Sequence, residues 1–500
     1  MKGRRAAGPA LAALGVLLCA PAARAYHTEI DASASAQYYT LESPYGDPQL
    51  RRRRFTSLLG MSLYDLGGDE SPTAPTLSFR SRLRLDGDLG QDPAESDPSS
   101  ARFVPGLEPA PFDLQYAYLE GERYLEGSLG FKLGRQYVID VLGWWSFDGA
   151  EVTLFAPGYV RLEAYAGFEQ RSGLPLLATP RFEANGVARG ARDDLRSDQW
   201  TNYLEESKLA PAVGVALETA DLSWLHARVT YRRVTNRDSV VVSPFLDASG
   251  KLKTYSADRI STEKLGASLR VQPVDFAALN GNLVYDFYAG IVSQQALALD
   301  VFPVHRLSLG ADYERIVPTF DGDSIFNWFA HSAVTTLSAR ADAALTRRLD
   351  AALSFGSRLF ETLGNPATYA TNPEADSVTR EVDPFATLGG RYRYNTGSVS
   401  LRGQAEVGER GHRVGGDVTS KKTFEAGYYD SLVILSLYDF ADALRPDRYA
   451  TSFSYVLGFG ILPNALGTRS RIGVEWEHSM NRLVGQRYRV LATLDLSVFR

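Results

Sequence analysis

The chain holds a single cysteine in 500 residues, Cys19, and only three methionines. An exported protein without a cysteine pair has no disulfide framework, so its backbone network must hold it together. CxxCH and CxxC are both missing, which excludes covalent haem, thiolate zinc and thiol redox chemistry, and no cofactor is implied. After residue 25 no apolar run approaches the roughly 18 residues that a membrane helix needs. HExxH and GxSxG do not occur, and no two of the six histidines form a metal pair at zincin spacing. Acidic residues outnumber basic ones, 59 to 53, so the charge balance gives no support to a nucleic-acid partner.

What is abundant is Gly, Tyr and Phe, a mixture that suits many short strands better than helices. The first 25 residues stand apart. Lys2, Arg4 and Arg5 lead into an apolar stretch from Ala6 to Ala20, and Ala23-Arg24-Ala25 is a small-x-small cleavage site before Tyr26. This predicts a removable export signal over 1–25 and a folded unit over 26–500. Leu18 stands before Cys19 where a lipoprotein would carry a small residue, so lipidation is not implied. Cleavage takes four basic residues and no acidic one, leaving a net charge near −10.

Strand-like alternation recurs from Thr28 to the end. In Thr76–Asp86, Leu77, Phe79, Leu83 and Leu85 share one face, and Arg80, Arg82 and Arg84 the other. Val160, Leu162, Ala164 and Ala166 alternate with Arg161, Glu163 and Tyr165. Val399, Leu401, Ala405 and Val407 alternate with Arg402, Gln404 and Glu406, and Tyr488, Val490, Leu494 and Leu496 with Arg487, Arg489 and Asp495. A period of 3.6 would scatter these residues, whereas a period of two sorts them.

Alternation alone does not separate a soluble barrel from one in a membrane; connection length does. Turn residues mark short links at Gly121–Tyr124, Pro157–Gly158, Thr219–Leu222, Gln272–Asp275, Phe302–His305, Thr346–Leu349, Asn395–Gly397 and Leu462–Leu466. Long segments fall between them: Gly87–Pro111, Glu169–Pro211, Asn236–Ser261, Val317–His331 and Glu361–Pro384. Short turns at one end and long loops at the other are the pattern of outer-membrane barrels. Hydrocarbon offers no partner to a strand edge, so the sheet must close, and antiparallel closure favours an even count. The expected fold is all-β: a transmembrane, antiparallel, up-and-down β-barrel of about 22 strands (range 18–22), with weak strands near Ile291, Gly415 and Leu432 and no plug domain.

At Phe131–Leu154 the chain reads FKLGRQYVIDVLGWWSFDGAEVTL. Leu-Gly-Arg-Gln at 133–136, followed by Phe147-Asp148-Gly149-Ala150, resembles Gram-negative porins and the alginate-export family. In such families the arginine of that motif faces the channel interior. The resemblance therefore makes Arg135 and Asp148 candidate pore residues, with bracing of the barrel rim as the alternative. Outer-membrane barrels usually end on a phenylalanine in phase with the last apolar face. Here Phe499 is penultimate, before Arg500, and out of phase with Leu496 and Val498.

A lysine or arginine facing lipid at mid-membrane costs roughly 2–4 kcal/mol, so the charged faces should point inward. The candidate pore-lining residues are Arg80, Arg82, Arg84, Arg135, Asp148, Arg161, Glu163, Asp312, Glu314, Arg402 and Glu406. Both signs are present, which suits small hydrophilic or ionic solutes. Barrels of about 22 strands are wide enough to need a plug, so something must narrow this one. Inward-folded Glu169–Pro211 or acidic Gly87–Pro111 are the candidates from sequence, unless they are solvated outer loops.

Arg51–Arg54 would stand at a strand entrance or meet lipopolysaccharide phosphates. Tyr116 and Tyr118, Trp144 and Trp145, Tyr392 and Tyr394, and Trp476 and Tyr488 are candidates for interfacial girdles. Asp321–Phe329 mixes acids, glycine and aromatics and could bind a cation or dock a partner. His226 and His478 could serve as a base only beside a serine that the sequence does not place.

These readings converge on an exported channel, not an enzyme, folded by the barrel assembly machinery and surrounded by outer-membrane lipid and lipopolysaccharide. A sheath around a lumenal or periplasmic protein such as an electron-transfer cytochrome is the second reading. A barrel hydrolase or surface adhesin is the third.

Overall fold

A computed structural model of the chain describes residues 27–42, 48–66, 74–88, 112–156, 159–170, 210–246, 252–319, 333–362, 379–424, 427–442, 445–462, 469–482 and 485–499. The first strands are β1 (His27–Glu42), β2 (Pro48–Tyr64), β3 (Thr76–Asp88), β4 (Phe112–Tyr124), β5 (Leu129–Asp140), β6 (Gly143–Ala156), β7 (Val160–Glu169) and β8 (Pro211–Thr219). Next come β9 (Leu225–Leu246), β10 (Leu252–Val274), β11 (Ala277–Asp286), β12 (Ile291–Val304), β13 (Leu307–Ile316), β14 (Ala333–Ala344) and β15 (Leu349–Thr362). The last are β16 (Thr379–Tyr394), β17 (Gly397–Gly408), β18 (Gly411–Phe424), β19 (Tyr429–Asp442), β20 (Arg445–Ile461), β21 (Arg469–Asn481) and β22 (Gly485–Phe499).

All 22 strands form one sheet. Each pairs antiparallel with its neighbours in sequence, and β22 returns to β1 from Glu29 opposite Phe499 to Leu41 opposite Arg487. The sheet is thus a closed up-and-down barrel without a free first or last edge. The weak segments near Ile291, Gly415 and Leu432 are true strands, β12, β18 and β19.

Alternation determines which residues face the lumen. Leu297, Leu299, Leu353, Leu388, Leu401 and Leu437 are 44–63% exposed, while the residues between them on each strand include Asp300, Ser354, Thr387, Arg402 and Tyr438. A soluble barrel would reverse this, hiding leucine and showing charge to water. An apolar exterior around a polar interior makes a transmembrane barrel. Leu401 lies in the middle of β17. Leu401→Arg is expected to destabilise the folded barrel by roughly 2–4 kcal/mol, read as a lower temperature for loss of its heat-modifiable form. An unchanged transition would place Leu401 away from hydrocarbon.

One end carries the tight links, such as 275–276, 305–306 and 395–396, and the other the long connections 89–111, 170–210, 317–332 and 363–378. The longest link at the tight end is 65–75. Several expectations shift, among them the Gln272–Asp275 and Phe302–His305 turns, which sit later, at 275–276 and 305–306. The Gly121–Tyr124 turn sits later, at 125–128, because β4 runs on to Tyr124. The Glu361–Pro384 segment is shortened by β15 and β16 at its ends. Asn236–Ser261 is no loop. β9 and β10 pair through Ser239 opposite Ala257 to Leu246 opposite Leu252, leaving only 247–251 between them. The β-branched run Val240-Val241-Val242 favours continued pairing.

Candidate functional site

Among the described residues the wall parts between β4 and β5. β5 pairs with β4 only as far as Arg135 opposite Ala117, although β4 continues along β3 to Phe112. Beyond that point β5 and β6 stay paired to each other up to Asp140 opposite Gly143. Their far end does not follow the wall. Asp140 forms a 2.9 Å ion pair with Arg232 of β9, and the two side chains are 0% and 8% exposed. The tip residues Val141 and Leu142 press on Gly266 of β10, where a Cβ would lie 3.3 Å from Leu142 Cγ. Along the wall β5 and β9 are about 19 Å apart, at roughly 4.8 Å per strand. Contact between them is possible only if the hairpin folds inward, across the concave side of the sheet.

The face turned to the wall carries Val138, Trp145 and Phe147, which cluster with Tyr165, Ala210, Ala212 and Val234. Trp145 stacks on Phe147 at 4.6 Å between ring centroids, and Arg232 lies 5.0 Å over the Trp145 ring. Glycine makes the bend possible. Gly134 stands opposite Gly149, and Gly149 opposite Gly167. Gly134 has φ +128°, and a Cβ at any of the three would run into backbone of the adjacent strand.

The other face of the hairpin looks into the open lumen. Ile139 and Trp144 are 69% and 65% exposed there. The Tyr137 ring lies 5.5 Å from Tyr116, which neighbours Tyr118 at 5.8 Å. Tyr116 and Tyr118 stand opposite Arg82 and Arg80 on β3. The narrowed zone therefore joins exposed apolar and aromatic groups on the hairpin to an arginine ladder on the wall. Within that ladder Arg80 meets Glu120 at 3.3 Å and lies 5.3 Å over the Tyr64 ring, while Asp31 is 3.8 Å from Arg82.

Arg84 continues the ladder on the same face of β3. Arg161 and Glu163 face the lumen on β7, inside a four-charge network. Arg161 bonds Glu163 and Glu218 at 2.9 and 2.5 Å, and Arg228 bonds the same two carboxylates at 2.5 and 2.6 Å. His226 approaches Glu218 at 3.6 Å. Asp312 is bonded by Arg340, which also holds Asp300. Glu314 shares the face of Asp312, between Ala296 and Thr336. Arg402 stands opposite Asp417, and Glu406 pairs with Arg358.

Arg135 and Asp148 are brought together at the bend in a two-point ion pair, at 2.6 and 2.8 Å. Arg135 is only 10% exposed. Its partner Asp148 is 46% exposed.

Removing Arg228 leaves two buried carboxylates, Glu163 and Glu218, to share the single arginine Arg161, so one buried negative charge loses its compensation. Arg228→Ala is expected to cost about 3–5 kcal/mol, read as a markedly lower unfolding midpoint in detergent. A midpoint within error of the parent would show the network to be idle.

Two girdle assignments are corrected. Tyr116 and Tyr118 pair with lumen-facing arginines, and Trp144 and Trp145 belong to the infolded hairpin, so neither pair meets lipid. Trp476, 42% exposed, and Tyr392, 47% exposed, are on the outer face. Tyr394 alternates in step with Tyr392, and Tyr488 stacks on His478 at 4.4 Å. Asp321–Phe329, the bulk of Glu169–Pro211 and Gly87–Pro111, and residues 1–25 lie outside the described residues; so do the side chains of Arg51 and Arg52. Of the residues that fasten the hairpin, Asp140 and Arg232 were not singled out by sequence, and Trp145 was assigned to a girdle instead.

No family model matches the chain, and no curated protein matches it. Among solved structures it is similar to OccAB1 of Acinetobacter baumannii, with 10% identity, 94% of this chain and 96% of that one covered, and a TM-score of 0.42. It is also similar to the translocation pore of the P pilus usher PapC, with 9% identity, 94% and 99% covered, and a TM-score of 0.43. A BenF-like porin of Pseudomonas fluorescens gives 9% identity, 95% and 99% covered, and a TM-score of 0.40.

Proposed function

We propose that the chain is an outer-membrane channel through which small hydrophilic or ionic solutes pass passively. One observation carries this reading: a closed barrel, apolar outside and charged inside, whose lumen is narrowed, among the described residues, by its own β5–β6 hairpin. A 22-stranded barrel left open would leak broadly. A hairpin fastened against the lumen side of β7–β10 limits size while leaving water a path. The same hairpin occupies space that a sheathed protein would need, which disfavours the cytochrome-sheath reading. Residues 1–25 would direct export, and the barrel assembly machinery would insert the chain among outer-membrane lipid and lipopolysaccharide.

Solute discrimination here comes from the width and charge of the lumen. Arg80, Arg82, Arg84, Arg161, Glu163, Asp312, Glu314, Arg402 and Glu406 supply that charge. A hydrolase would need a serine beside His226 or His478. What surrounds His478 is Tyr455, Tyr488 and Gln486. Swelling of proteoliposomes in sugars of graded size tests the channel. Rapid swelling with monosaccharides that falls off for larger oligosaccharides is the expected result. Vesicles that contain folded barrel yet remain as tight as empty ones would refute it.

A further inference from the structure

Resting on the channel reading, the inference here concerns what holds the hairpin in the lumen. Where β5 leaves β4, the β4 backbone at 112–116 loses its partner on that side. An unmatched carbonyl in a barrel wall is costly, because the surroundings offer no replacement donor. The Leu114 carbonyl is one of these groups. It accepts from Arg135 Nη1 at 3.0 Å and from Gln170 Nε2 at 3.4 Å. Arg135 is itself clamped, Nε to Asp148 Oδ1 and Nη2 to Asp148 Oδ2, and Gln170 Oε1 accepts from Ser146 Oγ at 2.8 Å. Gln136 Nε2 donates back across the bend to the Gly149 carbonyl at 3.2 Å. A guanidinium so committed and so buried has little to offer a passing solute.

We propose that Arg135, clamped by Asp148 and backed by Gln170, is a positioning residue: a latch that stands in for the missing β4–β5 ladder and thereby sets the size limit of the channel. Without it the open edge of β4 recaptures residues 136–140, the hairpin rises into the wall and the lumen widens. Lysine cannot replace it, since a single ammonium does not span both carboxylate oxygens and the Leu114 carbonyl in a fixed fork.

The test uses the full chain in lipid bilayers. Arg135→Ala and Arg135→Lys are expected to raise single-channel conductance severalfold and admit oligosaccharides that the parent excludes. On the Arg135→Ala background, Leu142→Cys with Gly266→Cys, and Val141→Ala to make room, places two thiols within disulfide range. Oxidation should return conductance to the parental level and a reductant should release it. A folded Arg135→Ala barrel with parental conductance overturns the latch, as does a raised conductance that the disulfide leaves unchanged. Cross-linking rate gives a readout independent of transport. The same thiol pair should oxidise severalfold more slowly with Arg135→Ala than with Arg135 present, and equal rates also overturn it. A parent without current would end the channel reading, and these rates would still decide the latch.

Discussion

Removing residues 137–146 and joining Gln136 to Phe147 through an Asn-Gly turn is expected to raise single-channel conductance severalfold and abolish size exclusion among oligosaccharides. The hairpin is the one described segment that crosses the lumen side of the sheet, from β5 to contacts on β9 and β10. Its removal deletes the Asp140–Arg232 pair and takes Val138 and Trp145 out of the apolar cluster, leaving no lone charge on the hairpin and exposing Phe147, Tyr165, Ala210, Ala212 and Val234 to the lumen. Arg232 does lose its partner, but on a lumen wall it is then hydrated, which softens the penalty of an unpaired buried charge. The wall itself keeps its closure through β1 and β22. A heat-modifiable deletion variant with parental conductance would show that the hairpin is not the constriction.

Substituting Arg80, Arg82 and Arg84 together by glutamine is expected to lower the anion-to-cation permeability ratio by roughly tenfold, the low end of what a charged cleft adds to local ion concentration. The three side chains project from one face of β3 at every second residue, opposite Tyr116 and Tyr118, and thus next to the hairpin. The ladder sets three arginines side by side, Arg80 at Glu120 and Arg82 at Asp31, whereas in two other lumen clusters the acids match or outnumber the arginines: Arg161 and Arg228 with Glu163 and Glu218, Arg340 with Asp300 and Asp312. Selectivity should therefore be concentrated at the ladder, and neutralising Arg402 alone should shift the reversal potential far less. A reversal potential in a salt gradient that does not move with the triple substitution would locate the selective charge elsewhere.

Most of the barrel is legible in the sequence because lipid and water impose opposite demands on successive residues. Leu401 beside Arg402, or Leu83 beside Arg82 and Arg84, can be satisfied only by a strand with one side in each solvent. The hairpin is the informative exception. From Tyr137 to Phe147 both faces are largely apolar, Tyr137, Ile139 and Trp144 on one, Val138, Trp145 and Phe147 on the other, interrupted by Asp140 and Ser146. A wall strand has no use for apolar groups on its lumen face. Two apolar faces in succession are thus the signal for a segment that leaves the wall, as are glycines at 134, 149 and 167. Alternation continues unbroken through Arg135, however, and period alone does not tell a bend from a straight strand. The resemblance around Gly134-Arg135-Gln136 falls at the bend and leaves the arginine's role open. Asn236–Ser261 misled in the other direction. Asn236-Arg237-Asp238 carries turn chemistry, yet cross-strand pairing overrides it beyond the height of the neighbouring strands.

The central claim is that this barrel conducts through a self-made constriction, and current across a planar bilayer reaches it most directly. Purified, heat-modifiable protein should insert as steady ohmic steps, each several times smaller than those of the variant lacking residues 137–146. Folded protein that inserts and carries no current, or steps of equal size in both, would contradict the account.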